Sequence, residues 1–178
     1  MDHATDHTAV AELRRKSDAA RERLARQVQG MEAHLERTHA EGQWTTRQVL
    51  CHLLGEPGAD VVRLLQSFSA AAPPLVEIAP GRVTVTPERQ RMSLGELLAA
   101  LDAQRAAALH YLDSLAPEDL ARKARIPLFG PILGTDEVTL PIFVDAMFGM
   151  HWEAHADQIG RIRRAVGLPE AAHAAATP

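Results

Sequence analysis

The last third of the chain carries an apolar seam that steps by three and four residues: Val144, Phe148, His151, His155, Ile159, Ile162 and Val166. That spacing puts all seven side chains on one face of a helix. Such a face must be buried against other elements, so the chain has to supply further amphipathic helices. Two more seams are plain: Leu13, Ala20, Leu24, Val28, Met31, Leu35, and Leu94, Leu97, Leu98, Leu101, Ala108, Leu112, Leu115. Aromatic residues are only 4% of the chain, so the core is built mainly from Leu, Val, Ile and Ala. That composition favours helix on helix over a sheet. The expected fold class is all-α, an antiparallel four-helix bundle.

Local signals place the helices. The first is expected over 8–40. Thr45 followed by Gln48 matches a capping box, with Trp44 before it as a hydrophobic staple, so the second helix starts near Thr46. It runs toward Pro73-Pro74 but meets Gly55-Glu56-Pro57-Gly58. Two glycines and a proline cost about 5 kcal/mol of helix propensity, and Pro57 cannot bond back to the Leu53 carbonyl. A kink or break is predicted there, one turn from His52. Residues 73–91 form a long connection, in which Pro80-Gly81 and the alternating Val83–Thr86 predict a small hairpin. Ser93 and Glu96 form a second capping box and open a helix over 94–115. A short helix over 117–123 and an apolar loop over 126–138 follow, and the loop's Ile126, Leu128, Phe129, Ile132 and Leu133 would roof a pocket. The last helix runs from Thr139 to Gly167-Leu168-Pro169. One domain is expected over 8–168, with disordered tails at 1–7 and 169–178.

The chain has 178 residues, 19 basic and 23 acidic, and a formal net charge of -4. No basic run suggests nucleic acid as a partner. No stretch of about 18 apolar residues predicts a membrane span. The single Cys51 suits a reducing compartment, and no signal peptide is visible, so a cytoplasmic protein acting on a small molecule is expected. A homodimer is left open.

Two neighbouring imidazoles on an apolar face are costly unless each finds a partner. They could be core histidines bonded to backbone or side-chain groups. A metal ion satisfies both at once, because histidines at i and i+4 converge on one ion. His52 is the best candidate for a third ligand. His3 and His7 lie in a polar terminus, and His34, His39, His110 and His173 lie off the seams. Three histidines without a strong fourth ligand imply an open, catalytic type of site. Imidazole suits zinc, nickel, copper or iron, so the ligand type alone does not decide the metal. Glu56, one turn from His52, is a candidate general base or fourth ligand, or else a solvated carboxylate. Gln158 could hold an outer hydrogen bond to a ligand. Phe129, Ile132 and Phe148 are candidate substrate-binding residues. Cys51 points about 100° away from His52 and is expected to be a small core residue.

Trp44-Thr45 at the start of the second helix, Val49-Leu50-Cys51-His52-Leu53 within it, and His151-Trp152-Glu153-Ala154-His155-Ala156-Asp157-Gln158-Ile159 in the last together resemble the DinB-like (YfiT-like) metal-binding bundle family. The resemblance covers roughly 10–167. It implies one divalent ion held by a histidine on the second helix and a His-x-x-x-His pair on the fourth. It also implies a range of activities. Some members use a low-molecular-weight thiol such as mycothiol or bacillithiol as transferases or isomerases, and others are metal-dependent hydrolases. The expectation is therefore a metal-dependent thiol S-transferase or isomerase with a small-thiol co-substrate. A hydrolase or a non-catalytic metal-binding stress-response bundle is the alternative. The 73–91 connection and the 126–138 loop depart from small members of the family, so the substrate does not carry over.

Overall fold

A computed structural model describes residues 3–171, with side chains from Ala9 onward. Residues 1–2 and 172–178 of the expected tails lie outside the described residues. The first helix, α1 (His3–Val28), reaches back through residues expected to be frayed and stops well short of 40. Gly30, at φ 77, takes a left-handed turn that an L side chain resists. A 3-10 turn (Glu32–His34) follows. The seam misled on length because the turn still points Met31 and Leu35 into the core. The open carbonyls at the end of α1 are met by buried Arg163, which donates from Nη1 to Gln27 O (3.2 Å) and to Gln29 O.

The capping box forms at Thr45. Gln48 N donates to Thr45 Oγ1 (3.2 Å), and Thr45 N donates to Gln48 Oε1 (2.8 Å). It opens α2 (Thr46–Leu53). The helix breaks where glycine and proline dictate, with Gly55 at φ 71 and Gly58 at φ 78. Asp60 then caps a short continuation, α3 (Val61–Gln66). In place of the expected hairpin at Val83–Thr86 there is an extended strap that belongs to no sheet. Its far end is α4 (Pro87–Arg91), capped by Thr86. Buried Arg47 of α2 anchors that end by donating to Arg89 O (2.9 Å) and Met92 O (2.7 Å). The second capping box opens α5 (Leu94–Asp113).

The predicted helix over 117–123 is a 3-10 turn, Pro117–Ala121. The apolar loop is closed at its base by a two-stranded antiparallel sheet, β1 (Lys123–Arg125) with β2 (Glu137–Thr139), Ala124 facing Val138. Between the strands lie a 3-10 turn and α6 (Gly130–Leu133). The last long helix has three parts: α7 (Leu140–Asp145), a π turn (Ala146–Met150) and α8 (His151–Ala165).

Four helical columns enclose one core: α1, α2 with α3, α5, and α7–α8. Contacts between them give each pair a direction. Arg14 reaches Asp113 and Arg21 reaches Asp102, so α1 and α5 are antiparallel. Trp44 lies by His155 and His52 by His151, so α2 and α8 are antiparallel. Lys16 pairs with Asp145 and Arg23 with Asp157, so α1 and the last helix are parallel. Arg47 meets Met92 and Gln104 meets Leu54, so α2 and α5 are parallel too. The chain thus forms the expected four-helix bundle with its long connection. The expectation of antiparallel neighbours is corrected for two of the four pairs, and the directions run up, down, down, up. Two successive parallel helices need a crossover, and the 73–91 connection supplies it. Among the described residues no helix is long and apolar enough to cross a membrane.

Candidate metal centre

His52 lies near the end of α2, where the capping box and the buried neighbours Cys51 and Leu53 fix the helix rotation. His151 and His155 occupy the first two turns of α8. The π turn just before them inserts an extra residue into the helical register. Its Gly149 has a steric reason: a Cβ there would lie 2.6 Å from Asp145 Oδ1, whose carboxylate also pairs with Lys16.

The three rings meet. His52 Nε2 is 3.0 Å from His151 Nε2, and His155 Nε2 is 3.1 Å from the same atom. All three ligand atoms lie within 4.8 Å of one another. The outward nitrogens of two rings are spent: His52 Nδ1 donates to Arg82 O (2.7 Å), and His155 Nδ1 donates to Gln158 Oε1 (2.8 Å). A carbonyl oxygen only accepts, so these two rings carry their proton on Nδ1 and point a lone pair inward. His151 has at most one proton to offer on Nε2, which cannot serve both neighbours. Its buried Nδ1 finds no partner among the described residues. Protonating the ring is no escape, because burial pushes His151 down to about 3, with His155 and His52 adding to the shift. Burial also lowers His155, against an upward pull from the Gln158 hydrogen bond. Three neutral imidazoles with converging nitrogens suit a divalent cation, and zinc-bound nitrogens about 2.0–2.1 Å from a tetrahedral ion lie about 3.3 Å apart.

The other predicted residues lie elsewhere. Glu56 does not join the cluster: Oε1 accepts from Arg82 Nε (2.9 Å) and Oε2 from Thr84 Oγ1 (3.0 Å). Phe148 is 1% exposed and packs edge-on against Trp152 in the core. Phe129 is buried, and Ile132 is 69% exposed on α6. Cys51 is fully buried, and burial pushes its thiol up, which disfavours a nucleophilic role.

Two residues of the site escaped the sequence. Trp44, read as a staple and as part of the family resemblance but not as a site residue, stacks on His155 (centroids 5.9 Å apart, 15° between planes) and tilts against His52 at 4.7 Å. Its place one residue before the cap of the histidine-bearing helix was the available signal. Arg82 contributes a backbone carbonyl, which any residue type provides, so sequence carries no mark of it.

The fold and the centre can be set beside known proteins. No curated protein matches the chain. YfiT from Bacillus subtilis, described as a probable metal-dependent hydrolase with an unusual four-helix bundle topology, superposes with a TM-score of 0.63. It is 18% identical, and the match covers 95% of this chain and 91% of that one. At that identity the likeness is one of fold. A family model, the DinB superfamily, matches residues 12–144, which include His52 and end before His151. The match spans most of the bundle, and the chain belongs to the DinB superfamily.

Proposed function

We propose that this chain is a metal-dependent enzyme whose centre is the trio His52, His151 and His155. The observation that carries this is the inward convergence of three Nε2 atoms while Arg82 O and Gln158 Oε1 hold two of the outward protons. A divalent ion held there, zinc or nickel first, supplies Lewis-acid chemistry that favours the anionic form of a small nucleophile at neutral pH. The protein's part is to keep the donor nitrogens deprotonated and aimed. Trp44 stacks on His155 and restricts the ring's rotation.

The finer proposal is thiol transfer, with a mycothiol- or bacillithiol-type co-substrate attacking a small electrophile. It is supported by the engagement of both Glu56 oxygens, which commits the candidate general base to Arg82 and Thr84. A thiol, already acidic, needs such a base less than water does. Hydrolysis is the second reading, favoured by the likeness in fold to YfiT.

Metal content is the first test: about one equivalent in wild type and near none in His155→Ala is expected, and equal content overturns the proposal. Cobalt-substituted protein then separates the two readings. A sulfur-to-metal charge-transfer band on adding mycothiol, bacillithiol or glutathione at neutral pH supports thiol transfer. Its absence, with metal-dependent cleavage of an ester or amide panel, assigns hydrolysis.

A further inference from the structure

We propose that Glu56 is a positioning residue that sets the proton position of His52 through the strap, and so sets metal affinity without touching the metal. The proposal rests on the metal-dependent reading above. Its elements lie in sequence on the page. The left-handed turn at Gly55 carries the chain off the end of α2 and places Glu56 beside the strap. One carboxylate oxygen accepts from Arg82 Nε at 2.9 Å, the other from Thr84 Oγ1 at 3.0 Å. These two residues bracket the peptide that matters, because the carbonyl of Arg82 accepts the Nδ1 proton of His52 at 2.7 Å. Arg89 ties the strap to the turn after α2, its Nη1 donating to Thr84 O (3.0 Å) and Gly55 O (2.7 Å). The strap has no ladder of its own to keep that carbonyl in place.

The consequence follows from imidazole chemistry. With its partner carbonyl in place, the neutral ring keeps the proton on Nδ1 and the lone pair on Nε2. If the carbonyl drifts, the proton is free to move to Nε2, and that tautomer turns an N–H instead of a lone pair toward the ion. Glu56 is 44% exposed and its partner Arg82 66%. A pair so open to solvent contributes little to global stability. The carboxylate's effect therefore falls on the ligand and not on the fold. This role replaces the general base that its spacing from His52 suggests.

Three variants test it: Glu56→Ala, Glu56→Gln and Arg82→Ala, the last of which removes the guanidinium and leaves the carbonyl. Zinc affinity is measured by competition with a chromophoric chelator. The His52 tautomer is read in metal-free protein from long-range nitrogen–proton NMR spectra. Glu56→Ala is expected to weaken zinc binding about tenfold, the lower end of what outer hydrogen-bond partners of ligands contribute. It should also reduce the Nδ1–H population of His52, with the melting temperature nearly unchanged. Arg82→Ala should follow it. Glu56→Gln, which keeps an acceptor oxygen and the side-chain volume, should fall between Glu56→Ala and wild type. Wild-type zinc affinity together with an unchanged His52 tautomer in Glu56→Ala overturns the proposal. A wild-type protein that binds no zinc sinks the metal reading instead, and the metal-free spectra still decide the role of Glu56.

Discussion

A histidine is readied to act as a ligand when its other nitrogen is committed, and two of the three rings in this cluster are so committed. Gln158 holds His155 as the strap holds His52. Replacing Gln158 with Ala should weaken metal binding by about 10–100-fold, measured by chelator competition; an unchanged affinity would mean that packing against Trp44 alone orients His155. At this scale the sequence was informative where side-chain type carries the chemistry. His52, His151 and His155 could be picked out by rarity on apolar faces and by spacing. Gln158 was legible from helical geometry, although it bonds His155 at i+3 and not His151. Arg82 was invisible because its contribution is a carbonyl. Glu56 was visible for its carboxylate, but only the folded strap shows where both oxygens are spent.

Elements were legible where local chemistry dictates them. Both capping boxes and the break after α2 follow from a few residues each. The end of α1 did not, because a 3-10 turn kept the next seam residues buried. Helix direction was not legible either. Periodicity says which face is buried and leaves open whether a neighbour runs with it or against it. The π turn was likewise hidden, since one inserted residue barely disturbs an apolar pattern. It yields a direct test. Alanine at 149 would bring a methyl group 2.6 Å from Asp145 Oδ1, so the carboxylate or the turn must move. Displacing Asp145 from Lys16 opposes the roughly 1 kcal/mol of helix propensity that alanine gains over glycine, so Gly149→Ala should change stability by about 1 kcal/mol or less, seen in urea melts. It should weaken metal binding, because the turn sets the rotation of His151. Full affinity would show that Asp145 swings away at no cost to the centre.

For the whole molecule, the sequence indicated a single helical bundle but not the order in which its columns point. The parallel pairing of α2 with α5 accounts for the long connection, and that connection delivers the carbonyl that holds His52. Connectivity and chemistry are therefore linked: the crossover that this arrangement of helices requires is also the outer support of the centre. The centre in turn joins parts of the chain that are far apart, since His52 and His151 are 99 residues apart. An ion shared between them, as proposed, would act as a reversible crosslink. A ligand that binds only the folded chain adds about 2.7 kcal/mol at 100 times its dissociation constant. For a domain of this size that corresponds to a rise of about 5–10 °C in Tm. Calorimetry across a series of free metal concentrations should show the rise in wild type and a flat line in His151→Ala. In a cell short of metal, the same protein would unfold more often and be cleared sooner by proteases. Its abundance would then track the metal supply before its turnover did.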